Sequence, residues 1–396
     1  MSKEATPQRG CHSTMNGRAL VFDAERRQAL VAIRSLGRRG IDVTAASGLR
    51  LNAGGASKYV DRRVRYPRPQ DDPAAFVDRI EREVRTHDYD VLLPIADPTV
   101  APVVEARHRL EPYAAIPFPE ADTLRIGTDK KRTIEAAREA GVPHPKTLAP
   151  AELDVEEVAD EIGYPVVVKP RQGAGRLGVS VCHTPGELEA AYANTPDHHH
   201  PLLLQEFVPN GGERGVYTLY NWSSELKAVT VQQRIRTDPP GGGTSTLRET
   251  VDDPGLISVT DDLLSGLGWQ GVAMAEFRID SRDGEPKLIE INPRLWGSLA
   301  LSVGAGVDFP ALLYELATTG DCETVLDYRS GVQARRLLGD IAHVIARKDR
   351  KAALREFLRP ADGPRHHDVL SADDPGATAA YFAAEIGKFA QRRLFS

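Results

Sequence analysis

"EFRIDSRDGEPKLIEINPR" runs from Glu276 to Arg294. It predicts two strands joined by a tight turn, with Asp283-Gly284 as the turn signal and Pro286 just beyond. With the turn centred near Asp283, Glu276 and Glu290 fall opposite each other on one face. Asn292, two residues further on, shares that face. Like charges directly across a strand pair are destabilising, by roughly 0.2–1 kcal/mol even when exposed. Val272, Ala273, Met274, Leu288, Ile289 and Ile291 flank these carboxylates, so they should be partly desolvated and repel more strongly. Something positive has to lie between them.

The wider composition restricts what that could be. A chain of 396 residues exceeds one ordinary core, so two or three domains are expected. An apolar fraction of 41% and a charged fraction of 27% fit a globular protein. A net charge of −6 gives no reason to expect nucleic-acid binding. No apolar run reaches bilayer-spanning length, and no membrane partner is expected. Cys11, Cys182 and Cys322 are far apart and form no CxxC, which predicts a reducing, cytoplasmic setting. The first residues, rich in Ser, Thr and Gly, read as a disordered tail. Arginine far outnumbers lysine, so each isolated lysine carries more information.

Strands and helices alternate at the start of the chain. "ALVFDA" (19–24), "IDVTAAS" (41–47) and "DVLLPI" (90–95) read as buried strands. Apolar residues at helical spacing lie between them, around Ala29–Leu36 and Phe76–Val84, and a third helix is expected over 100–110. This predicts a parallel sheet in an α/β layer. No GxGxxG follows the first strand, so a dinucleotide cofactor and a dehydrogenase reading lack support. Past about Ile126 the pattern changes. A helix from Lys130 to Ala140 is stopped by Gly141 and Pro143. "PVVVKP" (165–170) and "GVSVC" (178–182) read as strands with a glycine loop between them, and Thr184-Pro185-Gly186-Glu187 as a capping box. Walker-type and Rossmann glycine loops instead join a strand to a helix. "DHHH" (197–200) reads as a loop. Beyond about Gly331 the chain reads as mostly helical, with Leu337, Leu338, Ile341, Val344 and Ile345 on one face for packing.

Lys169 ends an apolar run at the mouth of the glycine loop. A phosphate contact is its functional reading, with Gly173, Gly175 and Gly178 letting backbone N–H groups approach an anion. In "PLLLQEFVPNGGE" (201–213), an apolar strand leads into Gln205, Glu206, Phe207 and Val208 and then to Glu213. The bland reading is a core strand reaching a surface loop. The functional one is a hinge whose Glu206 and Val208 backbone groups meet an adenine edge, while Glu213 accepts from ribose hydroxyls. Arg234 and Arg236, two apart, are expected on one strand face beside a Pro/Gly loop, to hold a carboxylate or phosphate. Asp97 follows a strand's C-terminal end, where open α/β sheets place ligands, and is a candidate for an amine substrate.

The order Lys130, "VVVKP" with its glycine loop, "QEFVPNGGE", "AEF" and "IEINPR" resembles the ATP-grasp superfamily, in its carbamoyl-phosphate-synthase-like carboxylate–amine ligase branch. The resemblance covers about 126–319, and the α/β region before it resembles a pre-ATP-grasp domain. It implies α/β and α+β architecture: a tail (1–17), a Rossmann-like pre-ATP-grasp domain (18–125), a small lobe (126–205), a large lobe with the metal site (206–330) and a helical C-terminal extension (331–396). It implies ATP and Mg²⁺, with Mn²⁺ as a substitute. Glu276, Glu290 and Asn292 would be metal ligands, all offering oxygen as a hard cation requires. Lys130 and Lys169 would bind phosphates, and Arg294 would stabilise the transferring phosphoryl group. Gln205 departs from the acid often found at that hinge position. The implied partners are a small carboxylate and an amine, and a homodimer is allowed for. The alternatives are a bicarbonate-using carboxylase or carbamoyl-phosphate-type enzyme, a phosphotransferase, and a non-catalytic ATP-binding module.

Overall fold

A computed structural model describes residues 17–173, 178–196, 201–240 and 243–394. Most of the expected N-terminal tail, Gly175 and the "DHHH" loop lie outside the described residues. The chain opens with β1 (Arg18–Val21), α1 (Arg27–Arg38), β2 (Asp42–Ser47), β3 (Val60–Arg65), α2 (Pro73–Thr86) and β4 (Val91–Leu93). The four strands form a parallel sheet in the order β3-β2-β1-β4. Ala19, Leu20 and Val21 are fully buried, as strands covered on both faces require. The helix expected over 100–110 begins earlier and is broken. Pro98 suits a first helical turn, so α3 spans Asp97–Glu105, and α4 (Arg107–Leu110) follows a break at Ala106. Then comes α5 (Ala121–Thr128).

Next come α6 (Lys130–Glu139), β5 (Thr147–Leu148), α7 (Val155–Glu161), β6 (Val166–Pro170), β7 (Ser180–Cys182), α8 (Pro185–Ala193) and β8 (Leu202–Glu206). Their strands make an antiparallel sheet, β5-β8-β6-β7, with the glycine loop at the β6–β7 turn. At α8 the Thr184 hydroxyl accepts from the Glu187 amide, and Glu187 accepts from the His183 amide at 2.7 Å. The box is therefore reciprocal, but its return arm reaches one residue further back than usual.

The rest of the chain builds a seven-stranded sheet. Its elements are β9 (Asn210–Tyr220), β10 (Leu226–Asp238), β11 (Thr244–Thr250), α9 (Pro254–Gly266), β12 (Gly271–Asp280), β13 (Pro286–Asn292), α10 (Leu299–Ala305), α11 (Phe309–Thr319), β14 (Gln333–Arg335), α12 (Leu337–Ala346), α13 (Arg350–Leu358), β15 (Arg365–His367) and α14 (Pro375–Leu394). The strand order is β13-β12-β9-β10-β11-β14-β15, antiparallel up to a final parallel pair. The C-terminal extension is thus not only helical: β14 and β15 complete this sheet. One hydrophobic core runs from the parallel sheet into the large one. It joins Leu20 and Ile95 to Tyr217, Met274, Trp296 and Phe309.

α12 reverses the packing expected from its sequence. Its buried residues are Gly339, Asp340 and His343, while Ile341 and Ile345 are exposed. Asp340 explains the reversal. It receives both Arg236 Nε and Nη2 at 2.7 Å and ion-pairs with Arg335 at 3.0 Å, so the polar side of the helix must face inward.

Candidate active site

The register of β12 and β13 sets Glu276 directly opposite Glu290 and Met274 opposite Asn292. Cations do surround the two carboxylates. Arg234, on β10, donates to Glu276 at 2.6 Å, and the Lys130 ammonium lies 3.9 Å from Glu290. Asn292 donates to Glu290 at 3.0 Å. Burial still raises the Glu276 pKa; Arg234 opposes that rise and the facing Glu290 adds to it. The pair therefore keeps an unmet demand for positive charge. Two carboxylates and an amide oxygen are hard donors, and too few to satisfy a cation alone. Among the described residues no group of three or more acidic, His or Cys side chains could hold a metal. That incomplete set fits Mg²⁺, which keeps water and substrate phosphate oxygens among its ligands.

The small antiparallel sheet brings the lysines to the same place. Lys130 opens α6, and its ammonium donates to the Gly173 carbonyl at 2.6 Å. Lys169, near the end of β6, is buried, and its ammonium donates to Gln205 Oε1 at 2.8 Å. Burial, with Lys130 nearby, lowers the Lys169 pKa to about 7. Gln205 in turn donates to the Thr147 hydroxyl at 2.8 Å. The departure from an acid at this position thus has a physical meaning: a neutral acceptor orients the lysine without paying back its charge. Gly173 and Gly178 both sit at positive φ, where a side chain would be strained.

At the hinge, the Glu206 amide donates to the Lys146 carbonyl at 2.8 Å and the Phe207 amide to the Pro165 carbonyl at 3.3 Å. The Glu206 carboxylate accepts from Arg282 at 2.5 Å, and Val208 is buried. Glu213 accepts from Arg234 at 2.9 Å and from Arg278 at 2.8 Å. Burial pushes the Glu213 pKa up, but the two guanidinium groups outweigh it and hold the group below its ordinary value.

Arg294 and Asp97 meet across 197 residues of sequence. Arg294 Nε lies 2.8 Å from both Asp97 oxygens, and its Nη2 donates to Asn292 Oδ1 at 2.9 Å. The N-terminal layer therefore holds the arginine that follows the paired carboxylates. Arg236 is a correction. A register shift between Arg234 and Arg236 breaks the two-residue alternation, so the two do not share a face. Arg234 reaches Glu276, whereas Arg236 is buried against Asp340 and the Glu356 carbonyl. Arg278 went unnoticed in the sequence, although it lies two residues beyond Glu276 in the quoted stretch. Buried Arg248, paired with Asp368, had no local signal at all.

Two family models match this chain. "ATP-grasp in the biosynthetic pathway with Ter operon" matches residues 198–338, and "Carbamoyl-phosphate synthase L chain, ATP binding domain" matches residues 129–209. Among solved structures, the L-amino acid ligase from Bacillus licheniformis is 20% identical with a TM-score of 0.64, over 80% of this chain and 78% of that one. The 2-oxoglutarate carboxylase biotin carboxylase domain from Hydrogenobacter thermophilus is 20% identical with a TM-score of 0.65, over 80% and 73%. A formate-dependent phosphoribosylglycinamide formyltransferase from Wolinella succinogenes is 27% identical, over 56% of this chain and 57% of that protein. A D-alanine–D-alanine ligase from Acidovorax ebreus is 24% identical, over 53% and 68%. The chain spans 57% and 28% of the first two curated relatives, the second being a carbamoyl phosphate synthase large-chain section from Methanopyrus kandleri. The fold is shared with the two solved structures, and residues 198–338 are similar to an ATP-grasp family. Residues 129–209 are similar to the ATP-binding domain of the carbamoyl-phosphate synthase large chain.

Proposed function

We propose that this protein is an ATP-dependent ligase that joins a carboxylate to an amine through an acyl phosphate, releasing ADP and phosphate. The observation that carries the reading is one arrangement. Glu276 and Glu290 face each other, Lys130 lies 3.9 Å from Glu290 with Lys169 nearby, and the Asp97-anchored Arg294 donates to Asn292 at 2.9 Å. The similarity to a D-alanine–D-alanine ligase and an L-amino acid ligase supports it.

A carboxylate is a poor acylating agent because its leaving group would be oxide; phosphorylation converts that group into phosphate. The protein's contribution is positioning and charge. Glu276, Glu290 and Asn292 would hold Mg²⁺, which neutralises phosphate charge when bound. Lys130, Lys169 and the glycine loop with Gly173, Gly175 and Gly178 grip the phosphates. Gln205 fixes the Lys169 ammonium, the Glu206 carbonyl and Val208 amide take the adenine edge, Phe207 lies between them, and Glu213 takes the ribose. Arg294, fixed by Asp97, meets the negative charge that develops on the acyl phosphate. Asp97 thus acts by holding Arg294, and Arg234 screens Glu276 at the edge of the substrate space. The division into regions 18–125, 126–205, 206–330 and 331–396 is part of this proposal, as are a cytoplasmic setting and a homodimer.

The test is a panel of small acids, each with and without amines, assayed for ADP release in Mg²⁺. ADP release should appear only with certain acids, and the matching amine should convert the product to an amide. Release that is indifferent to every acid would overturn the ligase reading. A stable phosphorylated product formed without amine would favour a phosphotransferase.

A further inference from the structure

Among the described residues, six of the eleven exposed large hydrophobic side chains lie between residues 337 and 386, so the C-terminal extension carries an unusual share of uncovered apolar surface. Four of them stand on α12 and α13, which pack against each other. Ile341 and Ile345, one helical turn apart, share the outward face of α12, because Asp340 and His343 have claimed the inward one. Leu354 and Leu358 share the outward face of α13, whose Ala353 is buried, and Leu358 is 68% exposed.

The charge on the same hairpin is one-sided. Lys348, Arg350, Lys351, Arg355 and Arg359 are all exposed, and no ion pair involves any of the five among the described residues. The two exposed acidic residues here, Asp349 and Glu356, are both paired with Arg347, and the third, Asp340, is buried. A chain of net charge −6 thus presents a local surplus of free cations, interleaved with aliphatic side chains. Lys351, Leu354, Arg355 and Leu358 follow helical spacing and fall on one face of α13.

We infer that the α12–α13 hairpin docks on an anionic lipid surface. Apolar tips at the level of long basic side chains suit a headgroup boundary: the aliphatic groups enter the acyl edge and the cations stay among phosphates. A second copy of the same face would oppose like charges. Nucleic acid would find aliphatic side chains where stacking partners are needed. The hairpin lies on the surface: no single described helix is long and apolar enough to cross a membrane. The sequence predicts no membrane partner because no apolar run reaches bilayer-spanning length, a test that a surface-docking hairpin does not have to pass.

Sedimentation of the full chain with vesicles tests this. The probes are phosphatidylcholine alone, and phosphatidylcholine with about 30% phosphatidylglycerol, at low and high salt. The protein should sediment with the anionic vesicles at low salt and little with the neutral ones. Lys348→Gln/Lys351→Gln/Arg355→Gln should weaken binding roughly 10²-fold. Leu354→Asn/Leu358→Asn should weaken it at least about tenfold while thermal unfolding and ATP turnover stay unchanged. Absence of sedimentation with either vesicle would overturn the inference in favour of an acidic protein surface. Equal binding by the leucine variant would reduce the patch to a simple charge effect and overturn it as well.

Discussion

In the proposed function Lys169 grips phosphate, and its buried environment is unusual for a lysine. Burial lowers its pKa from 10.5 to about 7. A depressed folded pKa contributes stability that is present above 10.5 and lost as pH falls through about 7, so the empty protein stores a cost that phosphate can relieve. At pH 8 the free lysine is mostly neutral, and bound phosphate should recharge it. ATP binding at pH 8 should therefore take up close to one proton, read from calorimetric enthalpies in buffers of different ionisation heat. Enthalpies independent of buffer would contradict this. Gln205→Glu supplies an anion where the lysine now meets an amide oxygen at 2.8 Å, so it should raise the pKa and abolish the uptake. Lys169→Ala removes charge-assisted bonds worth about 1.5–3 kcal/mol, which predicts ATP affinity weaker by roughly 10–10²-fold. Unchanged affinity would leave Lys169 as a merely structural residue. Glu290→Gln should lower Mg²⁺-dependent turnover by at least roughly 10²-fold with the fold intact, because outer-shell partners alone cost up to that. Turnover near the wild-type rate would remove the metal assignment.

At the scale of elements, Asp23 ties the end of β1 to the start of α3. Its carboxylate accepts from the Ile95 and Ala96 amides at 3.2 and 2.9 Å and from the Thr99 hydroxyl at 2.5 Å. That fixes the turn before Asp97, and hence Arg294. Burial raises the Asp23 pKa to about 6 against these hydrogen bonds. Its contribution is therefore fully present below 3.8 and lost as pH rises through about 6. Asp23→Asn should flatten the stability profile between pH 4 and 7 in urea titrations. A profile as steep as that of the wild type would show that another group sets it. The elements also mark how far the sequence could be read. The β12–β13 hairpin, the strands β6 and β7 and the alternating N-terminal layer were legible, because turn chemistry and periodicity are local. The bulge between Arg234 and Arg236 was not, since register depends on the neighbouring strand. The Asp97–Arg294 bond was hidden by 197 residues of separation. The reversal of α12 was hidden because its apolar period suggested a core face, and two arginines on other strands decide otherwise.

For the molecule as a whole, the C-terminal segment holds the layers together. Asp368 ion-pairs with Arg248 of the large sheet and, at 3.5 Å, with Arg27 of α1. Arg27 also donates to the Gly297 carbonyl at 2.7 Å, just beyond the Asn292–Arg294 strand end. Asp374 accepts from Arg34 at 2.9 Å, the Ser57 hydroxyl at 2.7 Å and the Lys58 amide at 3.1 Å. Arg34 and Asp374 are both buried, so Asp374→Ala leaves an uncompensated charge and should cost about 3–5 kcal/mol by urea unfolding. A loss under about 1 kcal/mol would mean that water replaces the pair. The fold thus joins the β6–β8 sheet, the paired-carboxylate strand hairpin and the N-terminal layer around Arg294, and the proposed function requires an acyl phosphate to form there. Hydroxylamine intercepts acyl phosphates, so the most direct measurement is hydroxamate formation with ATP, Mg²⁺ and the acid that triggers ADP release. Wild-type protein should yield hydroxamate, the true amine should suppress it, and Arg294→Ala should bind ATP normally yet form it roughly 10²–10³-fold more slowly. Acid-dependent ADP release without any hydroxamate, or an Arg294→Ala rate equal to the wild type, would contradict the account.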